Sequence, residues 1–274
     1  MIYLYVSTFG QDTSWIKAGK KNVCPIEVGA CCRKNNESIH YELRDDIGYS
    51  ISKDNPLWGE LSGLYWIWKN VDFNDNDIIG FCHYNKRLDI SDQQIEKFFK
   101  ESKSNSWIVC SPSVAPPHTY PEDMLVLEQI LKERFTDYYK SWKKLYHSNG
   151  ASKDGKHTCS GGELFYTDKT GFEQYCKFLF DVLFEVKDRI GDVEREPYHR
   201  RYLAFMGERL LSVFLITNSV NSKHVIIYFN NISFVRKFLR KMSYILGLNR
   251  DSKWFIKLRK LLFADKQTSS YLNQ

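Results

Sequence analysis

The stretch Ile78-Ile79-Gly80-Phe81-Cys82-His83-Tyr84-Asn85-Lys86-Arg87 sets the fold. Its first five residues are apolar, β-branched or small, and a polar Asn/Asp turn at 72–77 leads into them, so 78–82 predicts a buried central strand. The strand delivers His83, Tyr84, Lys86 and Arg87 at its carboxyl end. Open α/β sheets bind ligands outside the carboxyl ends of their strands.

Upstream, Leu57, Leu61, Leu64, Tyr65 and Trp68 recur at helical spacing with Trp58 and Trp66 beside them, predicting a helix over 57–70. Strands are expected at 1–9 and at 23–32, with Pro25 at an edge, and a ligand-type loop at 44–55. Downstream, the pattern gives a helix over 90–102, a strand over 107–110, a proline-containing loop over 112–121 and a helix over 122–147. A Gly/Ser/Lys-rich loop follows at 148–162, then a short strand at 164–166. An amphipathic helix over 172–190 stops at Gly191, a polar segment spans 192–200, a helix spans 203–216, and a last strand covers 225–229. Strands alternating with helices predict an α/β class with a mostly parallel central sheet in a single domain over 1–230.

The 274 residues are 43% hydrophobic and 15% aromatic, enough for one full core and unlike a disordered or collagen-like chain. The net charge of +6 is local: 233–264 holds nine Lys or Arg against the single acid Asp251. Apolar residues such as Phe234, Phe238, Trp254, Phe255 and Leu258 interleave with those charges. This predicts a basic amphipathic helical extension over 231–274 that meets a membrane surface through 233–262. No nucleic-acid motif accompanies the charge, so nucleic acid is not expected as a partner. No apolar run reaches the roughly 18 residues a spanning helix needs. Seven cysteines without a C-x-x-C pair, and a first segment without signal-peptide character, predict a cytoplasmic protein, peripheral on the inner face of the membrane.

The candidate chemistry follows from position. His83, Lys86 and Arg87, with Tyr84, form a cationic group fit to grip a diphosphate and to stabilise the charge of a departing one. Asp45, Asp46, Ser50, Ser52, Lys53 and Asn55 in the 44–55 loop offer hydrogen bonds to a base, ribose or sugar; an Asx-rich loop explains them equally well. Glu208 and Glu163 are the candidate general bases, although Glu208 could equally pair with Arg200, Arg201 or Arg209. Glu60, Trp66 and Arg201 are assigned as acceptor or sugar contacts. The literal D-x-D of Asp75-Asn76-Asp77 precedes the central strand, so it belongs at the opposite sheet edge and is not taken as a metal site. His147, His157 and Cys159 fit no common zinc spacing.

The run IGYSISKDNPLWGELSGLYWIWKN over 47–70, followed by DIIGFCHYNKR over 77–87, resembles a family of bacterial capsular-polysaccharide glycosyltransferases long known only as a domain of unknown function. That family carries N-I-S-x-K-N, then E-L-T-x-x-Y-W-x-W-K-N, then G-x-x-H-Y-R-R-Y. YCKFLFDVLFE over 175–185 and RYLAFMGERLL over 201–211 are similar to its later blocks, so the resemblance covers about residues 1 to 216. It implies a GT-A-like fold and transfer from a nucleotide sugar, a UDP-sugar of galactose type being favoured, onto a lipid-linked acceptor of capsule or O-antigen assembly. It also implies no metal cofactor, with a divalent ion left open. The chain departs from the pattern at Asn85, where the family has arginine, at Leu88 and around Phe205-Met206-Gly207. The alternative function is a non-catalytic carbohydrate-binding or scaffold subunit of an assembly complex, with Asn85 marking lost activity.

Overall fold

The computed structural model describes residues 1–17, 20–33, 41–102, 105–112, 120–153, 158, 162–230 and 242. The extension assigned to 231–274, Met242 apart, lies outside them, as do 113–119 of the proline-containing loop and most of 154–161.

In chain order the elements are β1 (Ile2–Thr8), α1 (Ser14–Lys17), β2 (Val23–Glu27), β3 (Leu43–Arg44), α2 (Asn55–Trp58), α3 (Leu61–Asn70), β4 (Ile78–His83), β5 (Lys86–Leu88) and α4 (Asp92–Glu101). There follow β6 (Ser106–Cys110), α5 (Pro121–Arg134), α6 (Thr136–Leu145), β7 (Phe165–Asp168), α7 (Lys169–Ile190), α8 (Tyr202–Thr217), β8 (Asn221–Val225) and β9 (Ile227–Phe229). Along the main sheet the strands run β3-β2-β1-β4-β7-β6-β8, with β5 pairing β4 and β9. All pairs among β3, β2, β1 and β4 are parallel, as is β6 with β8; β7 alone on this path runs against its neighbours. The expected mostly parallel α/β sheet is therefore present. Because β7 is reversed, its amino end lies at the carboxyl edge of the others, which brings residues just before Phe165 beside the end of β4.

The sheet is central and dry. Leu4, Val6, Ile79, Phe81, Ile108 and Phe165 are buried between helical layers, and α7 buries Phe172, Tyr175, Leu179 and Leu183 along one face. The tryptophan-rich helix packs its aromatics on α7: Trp68 stacks on Phe180, and Trp58 and Tyr65 meet Phe184. Each large side chain so buried contributes roughly 1.5–3 kcal/mol, so this is where the blocks of Trp and Phe are used. Among the described residues no helix is long and apolar enough to cross a membrane.

Several expected elements are interrupted, each for a local reason. The 57–70 helix breaks at Gly59, whose φ of 54° is open to glycine, and Glu60 then caps α3. The 23–32 strand ends at Glu27, and Ala30–Cys32 forms a 3-10 turn. The 122–147 helix is two helices meeting at Phe135. Residues 83–87 are not all loop: His83 pairs with Lys86 across a two-residue turn, starting β5. The 225–229 strand resolves into the end of β8 and β9.

Candidate active site

The His83–Lys86 pairing decides which side chains face the sheet edge. Residues directly opposite in an antiparallel pair share a face, and successive residues alternate. His83 and Lys86 therefore point the same way, and Arg87 points the other way. Lys86 Nζ and His83 Nε2 both lie against Gly162, where a Cβ would stand 2.5 and 2.7 Å from them; the residue's φ of 86° is also one that favours glycine. Glu163 follows at once, at the entry to β7. From the other side, Glu60 at the head of α3 brings Oε1 to 3.7 Å from His83 Nε2 and accepts a 2.6 Å hydrogen bond on Oε2 from Arg201. About two helical turns beyond Arg201, on α8, Glu208 lies within electrostatic reach of Lys86, Glu60 and Arg201. His83, Lys86, Glu60, Glu163, Arg201 and Glu208 thus come together from four separate parts of the chain.

Burial gives these groups different charges. His83 is pushed down to about 3 by desolvation and by Lys86 and Arg201, against the pull of Glu60. It is neutral near pH 7. Burial raises Glu60, but His83, Arg201 and Lys86 outweigh it and the carboxyl sits below its ordinary range. His83 aids that ionisation only when protonated, so Arg201 at 2.6 Å is the principal cation at neutral pH. Glu163 is pushed well up, first by burial and then by Glu208 and Glu60, against a hydrogen bond from Tyr175. Glu208 is raised by burial and Glu60, against Lys86, Arg209 and Arg201. Glu163 is fully enclosed: Oε2 accepts from Tyr175 Oη at 2.8 Å, while Oε1 has no hydrogen-bond partner among the described residues. His83 Nε2 is likewise buried without one. Two buried polar atoms left open in one cluster are unusual, because buried polar groups nearly always find partners.

The remaining expected residues are placed elsewhere. The Arg87 guanidinium lies 5.4 Å from the ring centroids of both Trp15 and Tyr228 and donates to the Ile16 carbonyl at 2.7 Å, so it is spent on the opposite face. Tyr84 is half-buried, and its carbonyl accepts from Trp15 Nε1. Asp46 pairs with Arg44 and is held low by that hydrogen bond, and Lys53 is exposed. Ser52 and Asn55 serve a hub that the sequence does not reveal. The carboxylate of fully buried Asp45 accepts from Gly29 N at 2.8 Å, Ala30 N at 3.0 Å, and Ser52 Oγ and Ser62 Oγ at 2.6 Å each. Asn55 completes it by donating to Ser62 Oγ and the Gly59 carbonyl. The hub ties the turns after β2 and β3 to the head of α3 and so fixes the approach of Glu60. Trp66 is buried, its indole N–H given to the Ile47 carbonyl. Asp77 accepts from Asn74 at the amino end of β4, the edge away from the cluster.

No curated protein matches the chain. Its structure is similar to an apo structure of the bifunctional glycosyltransferase WbbM, with a TM-score of 0.63 and 21% identity, over 84% of this chain and 45% of that one. The chain thus spans less than half the length of that protein, and the likeness is one of fold: a mixed α/β domain about a mostly parallel sheet. The family model described as Domain of unknown function (DUF4422) matches residues 11–219. Since that match takes in most of the chain, the protein belongs to the DUF4422 family.

Proposed function

We propose that the protein is a glycosyltransferase that uses a nucleotide-diphosphate sugar. The observation that carries this reading is the grouping of Lys86 and Arg201 with Glu60, Glu163 and Glu208 at the carboxyl edge of the sheet. Lys86 faces the diphosphate as a point charge and stabilises the negative charge that builds as it leaves. Glu208, raised above its ordinary value by burial yet within electrostatic reach of Lys86, accepts the proton of the acceptor hydroxyl as that oxygen bonds to the anomeric carbon and the bond to the diphosphate breaks. Glu60 holds Arg201 in place. Cationic side chains do the work here, and no metal is assigned.

A galactose-type UDP donor and a lipid-linked glycan acceptor follow from the sequence resemblance, and association with a membrane surface follows from the basic run at 233–262. The test is a thermal-shift screen of nucleotide sugars followed by a transfer assay. A donor that binds raises the melting temperature in proportion to log concentration above its Kd. Glu208→Gln should keep that shift and lose transfer. Absence of any shift across UDP-, GDP-, dTDP- and CMP-sugars would defeat the proposal.

A further inference from the structure

Beside the cluster lies a row of four rings that the chemistry above does not use. Tyr120 sits 4.7 Å from His199, His199 sits 5.4 Å from Tyr198, and Tyr198 sits 5.2 Å from Phe205, centroid to centroid. Tyr198 is 54% exposed, so the row opens to solvent there. The row runs into the candidate site, because Phe205 and Glu208 are three residues apart on α8 and share one face of that helix. Arg201, four residues before Phe205, donates to Glu60 in that site.

The segment that carries Tyr198 and His199 is held rigidly. Arg195 makes a two-pronged pair with Asp123, both buried, and lies over the rings of Tyr120 and Tyr202 at 5.7 and 4.5 Å. Arg200 Nε donates to the Arg195 carbonyl at 3.2 Å, and the amides of His199 and Arg200 close a turn on Glu196. Rings fixed before a ligand arrives lose little freedom on binding it. Their chemistry is also particular: flat apolar faces with a phenol or imidazole tip. That suits a ligand with C–H faces bordered by hydroxyls, which is a saccharide, better than an aliphatic chain or another protein's apolar face.

We propose that Tyr120, His199 and Tyr198 form an acceptor-glycan subsite in which a sugar ring stacks on the open face of Tyr198, backed by buried Phe205, and which leads the terminal hydroxyl to Glu208. The role as acceptor site rests on the transferase reading; saccharide binding as such does not. The full-length protein, with tyrosine rings carbon-13 labelled, is titrated with linear galactose- and glucose-containing oligosaccharides and followed by NMR. Tyr198→Ala, at an exposed position, and Tyr198→Phe, which keeps the ring, are titrated and assayed in parallel. Expected are shifts of the Tyr198 and Tyr120 rings and a rise of about three- to tenfold in acceptor KM for Tyr198→Ala. The kcat and donor affinity should not change, and Tyr198→Phe should stay close to the parent. Unshifted rings, or an acceptor KM unmoved in Tyr198→Ala while donor binding is intact, overturn the subsite. A loss of self-association in Tyr198→Ala, without any saccharide shift, would mark the row as a contact between copies and overturn it too. Failure of every nucleotide sugar to bind would instead strike the transferase reading, leaving the ring titration to decide the saccharide site by itself.

Discussion

Glu60 and Arg201, 141 positions apart in the chain, meet at 2.6 Å, and the contact joins the two helices that frame the cluster. Its two ends differ in environment, since the Glu60 side chain is 4% exposed and that of Arg201 is 41% exposed. Screening at the open end limits what the pair adds to stability, to about 1 kcal/mol. Removing the arginine is worse than losing that sum, because it takes the hydrogen-bonded cation from an enclosed carboxylate and leaves it with a neutral histidine and the charge of Lys86.

Arg201→Ala is therefore expected to destabilise the fold by about 1–3 kcal/mol and to lower transfer at least tenfold. The double variant Glu60→Gln/Arg201→Gln should recover most of the melting temperature and none of the activity. Recovery of both would reduce the pair to a structural tie.

Lys86 and Arg87 should separate cleanly. Lys86→Met removes a charge that faces the cleft, so nucleotide Kd is expected to weaken about tenfold or more while the melting temperature stays within a degree or two. Arg87→Ala breaks the contacts with Trp15, Tyr228 and Ile16, so it should lower stability by about 1–2 kcal/mol and leave nucleotide Kd nearly unchanged. Calorimetric titration with a nucleoside diphosphate distinguishes the two. The reverse ranking would mean that β5 turns about in solution.

Why sequence reasoning grouped these two cations shows where it reached its limit. The strand at 78–82, its partners and the cationic turn were legible because apolar runs and turn residues are local signals. Glu208 and Glu163 stood out only as candidate bases, and nothing local places them beside that turn. The facing of Lys86 and Arg87 depends on β5, a strand of three residues whose partner β9 lies about 140 positions on, and nothing local announces it. The structural role of Asp45, read as a ligand group, escaped for a similar reason: its four donors come from the turn after β2, the turn at Ser52 and the first turn of α3, which only the fold assembles. Ser52 and Asn55, read as ligand groups, are what Asp45 needs. The row from Tyr120 to Phe205 is drawn from two distant segments and left no periodic trace.

Gly162→Ala tests the crowding at the sheet edge. The added methyl would lie 2.5 Å from Lys86 Nζ and force a left-handed backbone conformation on alanine, which costs roughly 1–2 kcal/mol. Lys86 has a flexible end and will move away from the cleft. A modest drop in melting temperature with a larger loss of donor affinity is expected. Affinity equal to the parent would show that Lys86 does not need the space it occupies.

His83 should make the protein acid-sensitive. Its ordinary value is 6.5 and the folded value about 3, so between these limits the unfolded chain binds a proton that the native state refuses. Stability therefore climbs as pH rises from 3 to 6.5 and is lost on the way back down. His83→Phe removes the proton that the unfolded state gains. Urea midpoints measured from pH 4 to 7 should vary less with pH for His83→Phe than for the parent; equal slopes would show that His83 stays protonated in the fold.

Glu163 carries the opposite sign. Its carboxyl is raised well above 4.5, so above that pH the native state keeps a proton that the unfolded chain releases, and stability falls as pH rises toward the folded value. With Oε2 taken by Tyr175 Oη at 2.8 Å, the retained proton belongs on Oε1, the enclosed atom without a hydrogen-bond partner among the described residues. Glutamine imitates a neutral acid closely: its carbonyl can still accept from Tyr175 and its amide can still donate. Glu163→Gln is therefore expected to keep transfer within a few-fold of the parent and to flatten the decline of the melting temperature as pH rises above 4.5. Glu163→Ala, which leaves the Tyr175 hydroxyl unmatched, should lose about 1–3 kcal/mol of stability. A Glu163→Gln variant that folds and binds donor yet transfers nothing would show that the residue acts as a carboxylate, and the role of base would pass to it from Glu208.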